Sequence, residues 1–152
     1  MVAFFSYYFT VRGYRILYLK KLGTTQKPAC IDKWITFIAG AFILFLYVWG
    51  TMALLQEETM GIVALVFAII GTTFLVKDIR QFTSKTAPEK MHWWYGHISS
   101  MGASYISAST AFVVVNISIP GFGWALWILP SAIGSIVIGR TIGFYKKKFA
   151  TV

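Results

Sequence analysis

Residues Trp34–Leu55 read WITFIAGAFILFLYVWGTMALL and contain no Asp, Glu, Lys, Arg or His. About 20 apolar residues in a helix cross the ~30 Å hydrocarbon core of a bilayer, so this stretch is long enough to span one. Outward from it, similar segments run over about 2–19, 60–76, 93–115 and 124–145. The reading is an all-α integral membrane protein, a bundle of five transmembrane helices forming one domain over residues 1–152.

Composition agrees with that class. Of 152 residues, 57% are hydrophobic and 12% charged, with a mean hydropathy of +0.68, more apolar surface than a soluble domain of this size can hide. All 14 Lys and Arg fall on one side of the predicted spans. The loops alternate between basic and non-basic, and basic loops stay in the cytoplasm. This predicts an outside N-terminus, a cytoplasmic C-terminus and a multi-pass location in the cytoplasmic (inner) membrane. The formal net charge of +9 is then a property of helix ends facing anionic headgroups; no nucleic-acid role is read from it.

The first segment ends at Lys20 and Lys21 and is barely long enough to span. Gly23 to Lys33, with Pro28 and Asp32, reads as a cytoplasmic loop, and Gln56–Thr59 as an external acidic turn. Lys77, Asp78, Arg80, Lys85 and Lys90 mark the second cytoplasmic loop, and Asn116–Gly123 a second external turn. Gly40 and Gly50 read as close-packing positions, as do Gly61, Ala64, Ala68 and Gly71. Pro130 removes one backbone hydrogen bond from the last helix and predicts a kink. After it Ser131, Ser135, Gly139 and Gly143 recur every four residues, a helix-packing ridge along which another backbone can approach, and Lys146–Lys148 stop the helix. Cys30 is the sole cysteine. It reads as a reduced thiol in a cytoplasmic loop.

Chemistry concentrates in the fourth segment. His97, Ser100, Ser104 and Ser107 share one helical face, which packs a neighbouring helix or lines a ligand groove. His92 and His97, if both are helical, point about 140° apart, so they cannot ligate the two faces of a single haem from one helix, and bis-His haem binding within one chain is disfavoured. No Cys, Asp or Glu stands at zinc-ligand spacing from either His, so no metal site is predicted.

Arg12 lies about 12 Å inside the basic end of its segment, where a charge costs at least ~2.5 kcal/mol. It needs a partner. Arg15 and Arg140 are close enough to the interface to snorkel, and Asp78 reads as the one carboxylate near a cytoplasmic helix end. Together Arg12, Arg15, Asp78, His97, Ser100, Ser104 and Arg140 form the candidate ligand-binding set, suited to a phosphate, a carboxylate or a quinone carbonyl. No nucleophile–base pair, phosphate loop or carboxylate dyad is present, so no catalytic residue is assigned.

His97-x3-Met101-x3-Tyr105-Ile106, then Thr110-Ala111-Phe112-x-Val114-Val115-Asn116, then Pro130-x3-Gly134 and a basic tail, with Gly13-Tyr14-Arg15 and Lys20 earlier, resembles a family of prokaryotic multi-pass membrane proteins of unknown function. The resemblance covers most of the chain. It implies a helical bundle in a bacterial cytoplasmic membrane, with further sequence before the first segment, and supplies no activity.

Three function classes follow. The first is a non-enzymatic accessory or assembly subunit of a membrane complex, with other membrane subunits or copies of itself as partners. The second is a redox protein holding haem or quinone near His97 and the Arg cluster. The third is a small transporter or proton-linked carrier that uses Arg12, the Ser face and the Pro130 break.

Overall fold

The computed structural model describes residues 1–22, 25–84, 89 and 91–150, the last without its side chain. Gly23, Lys85 and Lys90 of the expected loops lie outside the described residues. Five helices are present among them: α1 (Val2–Ile16), α2 (Cys30–Leu55), α3 (Met60–Thr83), α4 (His92–Asn116) and α5 (Gly123–Ala150). Four of these, α2 to α5, are long and apolar enough to cross a membrane.

The fifth, α1, is shorter than the sequence predicts. Helix ends at Ile16, and the chain leaves through two tight turns, Leu17 N–H to Tyr14 O and Tyr18 N–H to Arg15 O. Its 15 residues rise about 22 Å, short of a ~30 Å hydrocarbon core. The other helices are longer than predicted. Asp32 accepts the Ala29 N–H at 2.9 Å, satisfying one of the orphan donors of a helix start and drawing Cys30, Asp32 and Lys33 into the first turn of α2. Asp32 is 4% exposed, so Asp78 is not the one carboxylate at such a helix end. Burial of Asp78, also 4% exposed, accompanies continuation of α3 to Thr83. Lys146, Lys147 and Lys148 lie within α5 rather than stopping it, and so does Pro130.

The helices gather into two units. In one, α2 and α3 form an antiparallel hairpin. Ala64 and Ala68 of α3 are fully buried, and a Cβ on Gly61 would stand 2.7 Å from the Gly50 carbonyl oxygen and 2.8 Å from the Leu54 nitrogen. Only glycine permits backbones to approach this closely. Gly50 sits at this crossing, whereas a Cβ on Gly40 would meet only the tip of Leu75, at 3.5 Å, so Gly40 is not a close-packing position. The turn between the helices puts Glu57 at φ 60°. Glu58 N–H bonds Ala53 O at 2.9 Å and Glu57 N–H bonds Leu54 O at 3.0 Å, the paired bonds of a Schellman C-cap.

In the other unit, α4 packs against α1 on one side and α5 on another. Both pairs are antiparallel: Ser6 and Arg12 of α1 meet Ser104 and Ser100 of α4, while Gly102 and Ile106 of α4 face Ile138 and Gly134 of α5.

Candidate functional site

The polar side chains of α4 meet α1 along one seam. Ser6 and Thr10 stand one turn apart on α1, and Ser104 reaches both: its hydroxyl lies 2.6 Å from that of Thr10 and donates to the Ser6 carbonyl at 3.0 Å. Further along, the Arg12 guanidinium donates to the Ser100 hydroxyl, whose residue is 0% exposed. One turn beyond, His97 Nδ1 lies 2.9 Å from the Gly13 carbonyl oxygen.

That last contact fixes a tautomer. A carbonyl oxygen only accepts, so Nδ1 must carry the hydrogen, and in the neutral ring Nε2 is the lone-pair nitrogen. Trp94 stacks beside this ring, with centroids 6.5 Å apart and planes 26° from parallel. Its indole Nε1–H is buried without a hydrogen-bond partner among the described residues. A buried donor left unmade costs roughly 1–3 kcal/mol.

The close approach is sequence-driven. A Cβ on Gly13 would lie 3.1 Å from the Ser100 Cβ and 3.2 Å from Met101 Cε, so glycine here lets α1 lie against α4 and exposes the carbonyl that His97 uses. Ser6, Thr10 and Gly13 are spaced four and three apart, one helical face. That spacing is a readable signal for the α1 half of the seam. Trp94 carries no such signal, because an aromatic residue at a helix start reads as an interfacial anchor.

Of the predicted site residues, Arg12, His97, Ser100 and Ser104 come together in this seam. Arg15, half-buried, places its guanidinium carbon 6.0 Å from the Tyr18 ring centroid. Arg140 is exposed on α5. Asp78 belongs to the other unit, on α3. Ser107 bonds within its own helix, to Ala103 O at 3.1 Å.

The small-residue ridge of α5 is set apart from its α4 contact. Gly134 and Ile138 face α4, while among the described residues a Cβ at Gly139 or Gly143 would meet nothing within 4 Å. Ser135 donates to Ser131 O at 2.7 Å and is exposed. Cys30 is an exposed free thiol. Among the described residues no three His, Cys, Asp or Glu side chains gather as a metal site.

Compared with protein-family models, with curated proteins and with solved structures, the chain matches none. The resemblance noted for its fourth and fifth segments therefore adds nothing to the geometry.

Proposed function

We propose that this chain is a non-enzymatic integral membrane protein that serves as an accessory or assembly subunit of a larger membrane complex, and that it docks through the outer face of α5. The carrying observation is the position of Gly139 and Gly143. Glycine gains nothing from contact with lipid tails, but it lets a second helix approach closely, and among the described residues no atom lies within 4 Å of a Cβ placed on either one. The burial pattern supports the same reading: 6% of the α5 apolar window is buried, against 33% for α3. The polar seam is also occupied internally, since Arg12, Ser100, Ser104 and the Nδ1 side of His97 bond within the chain.

The associated topology is five transmembrane helices with the N-terminus outside and the C-terminus in the cytoplasm of an inner membrane, the short α1 crossing where the bilayer thins around it. It rests on the one-sided Lys and Arg. A reporter fused after Val152 and thiol labelling of Cys30 from either side test it.

The experiment for docking is native mass measurement of gently solubilised protein, repeated for Gly139→Leu and Gly143→Leu. A mass above the 17.1 kDa of the chain that falls to the monomer in either variant is the expected result. A monomer from the start, or an assembly untouched by both variants, overturns it.

One observation favours a second reading, a redox protein holding haem or quinone. His97 is oriented by a backbone carbonyl, the arrangement that fixes a ligating or proton-carrying histidine through its other nitrogen. The buried indole N–H of Trp94 beside it has no acceptor among the described residues. A visible absorption spectrum and a quinone extract of the purified protein decide this reading. Absence of both a Soret band and quinone removes it.

A further inference from the structure

The α2–α3 hairpin is closed tightly at one end and open at the other. Near the turn, backbone meets backbone at Gly50 and Gly61. At Gly40, toward the opposite end, a Cβ would still be 3.5 Å from the tip of Leu75. The space left there is an open groove of about 1180 Å³, bounded by α2, α3 and the segment before α2.

Its chemistry changes along its length. The floor and walls are apolar at Phe37, Leu44, Leu75 and Ile79. Lys27, Lys33, Thr36, Thr83 and Ser84 line the end nearest the helix termini. Thr36 and Thr83 bond to their own helices through Asp32 O and Ile79 O, which leaves their hydroxyl oxygens with acceptor capacity. Lys27 and Lys33 are exposed. Neither ammonium group forms a salt bridge or hydrogen bond among the described residues.

The length is informative. From Lys33 to Leu44 the α2 wall rises about 16 Å at 1.5 Å per residue. Half of a ~30 Å hydrocarbon core is about 15 Å, so the apolar part matches one leaflet and the two ammonium groups stand at headgroup depth. A bare lipid-facing helix would need no such gradient. A cationic mouth over a one-leaflet apolar channel is complementary to a molecule with a negative head and a hydrocarbon tail.

We propose that this groove is a binding site for one anionic glycerophospholipid, its phosphate between Lys27 and Lys33 and an acyl chain along Phe37, Gly40 and Leu75. Selectivity for charge comes from the two ammonium groups, each worth about fivefold in affinity near a membrane surface. Retention against exchange comes from the apolar wall. Inorganic phosphate has the charge without the tail and does not compete at matched concentration.

The test uses the whole chain in a neutral detergent, titrated with dioleoyl phosphatidylglycerol or dioleoyl phosphatidylcholine and read by native mass spectrometry. The expected result is one phosphatidylglycerol retained with at least tenfold preference over phosphatidylcholine. Lys27→Gln with Lys33→Gln brings the two lipids to near equality. A control triple, Lys146→Gln with Lys147→Gln and Lys148→Gln, keeps the preference. Ala41→Phe, which fills the groove beside Gly40, lowers retention of both lipids, with helicity by circular dichroism confirming a folded protein. Equal binding of both lipids by the unaltered chain overturns the site. So does a preference that survives the Lys27 and Lys33 changes, one lost equally in the control triple, or phosphatidylglycerol retention unchanged in Ala41→Phe. Displacement of the lipid by a co-purifying protein helix also overturns it.

Discussion

The two helix pairs α2–α3 and α1–α4 solve the same problem with different chemistry. Between helices in lipid there is no hydrophobic gain from leaving water, so association draws on close packing and on interhelical hydrogen bonds. The α2–α3 pair uses packing: Gly50 and Gly61 bring backbone onto backbone, with Ala64 and Ala68 fully buried. Tyr47 and Thr72 add a side-chain hydrogen bond across it, at 3.2 Å. The α1–α4 pair uses polar contacts, Ser6 and Thr10 with Ser104, Arg12 with Ser100, and His97 with Gly13 O. A packed seam has one critical contact and tolerates little. A hydrogen-bonded seam spreads its stabilisation over several modest contacts.

The sharpest way to break this contrast is to add one methyl to a glycine in each pair. Gly61→Ala drives its Cβ to 2.7 Å from a carbonyl oxygen, and backbone cannot yield without separating the helices. A loss of about 3 kcal/mol is expected. Gly96→Ala in α4 also collides, but with the Cδ1 tip of Ile16, which a rotamer change relieves. Its cost should stay below about 1 kcal/mol. Reversible unfolding in mixed micelles gives both values, and similar losses at the two sites would refute the distinction.

Next in size is the Arg12–Ser100 pair. Ser100→Ala removes an acceptor from a guanidinium inside the protein, and bonds to charged groups are worth about 1.5–3 kcal/mol. Arg12→Met removes the charge itself together with its insertion cost of at least ~2.5 kcal/mol, so the single change should be nearly neutral. In the Arg12→Met background, Ser100→Ala should then cost less than about 0.5 kcal/mol. A full double-mutant cycle measures that coupling. Additive effects would mean that Ser100 supports Arg12 in no energetic sense.

The membrane class and four of the long helices were legible because a 20-residue apolar run has few other fates. Helix ends were less so. Polar residues at Cys30–Lys33 and Lys77–Thr83 read as loop, yet Asp32 caps its own helix start and Asp78 is buried. Hydropathy measures solvent preference and is blind to a carboxylate that finds backbone donors. In the seam, the α4 face was readable from its spacing. Its partner was not, since hydrogen bonds such as that of His97 to Gly13 O join residues far apart in sequence and involve backbone that every residue has. The α5 ridge was visible as a repeat, but which face α4 covers is set by Gly102 and Gly134 against Ile138 and Ile106, a choice that sequence periodicity leaves open.

Two smaller effects sharpen the contrast from its edges. Glu57 holds the left-handed C-cap position of the α2–α3 turn at φ 60°, where a side chain costs about 1 kcal/mol and glycine does not. Glu57→Gly should therefore stabilise the hairpin by about that amount, seen as a higher unfolding midpoint, and a lower midpoint would show that the carboxylate contributes more than its strain. Ser104→Ala sits at the other extreme. It removes the bond to Ser6 O and the contact with Thr10, but interhelical polar contacts in membranes average only about 0.6 kcal/mol. The expected loss is of that size, and Thr10 can still donate to Ser6 O at 2.8 Å. A loss above 2 kcal/mol would mean that the seam acts as one cooperative network, with Arg12 and His97 depending on Ser104 two turns away.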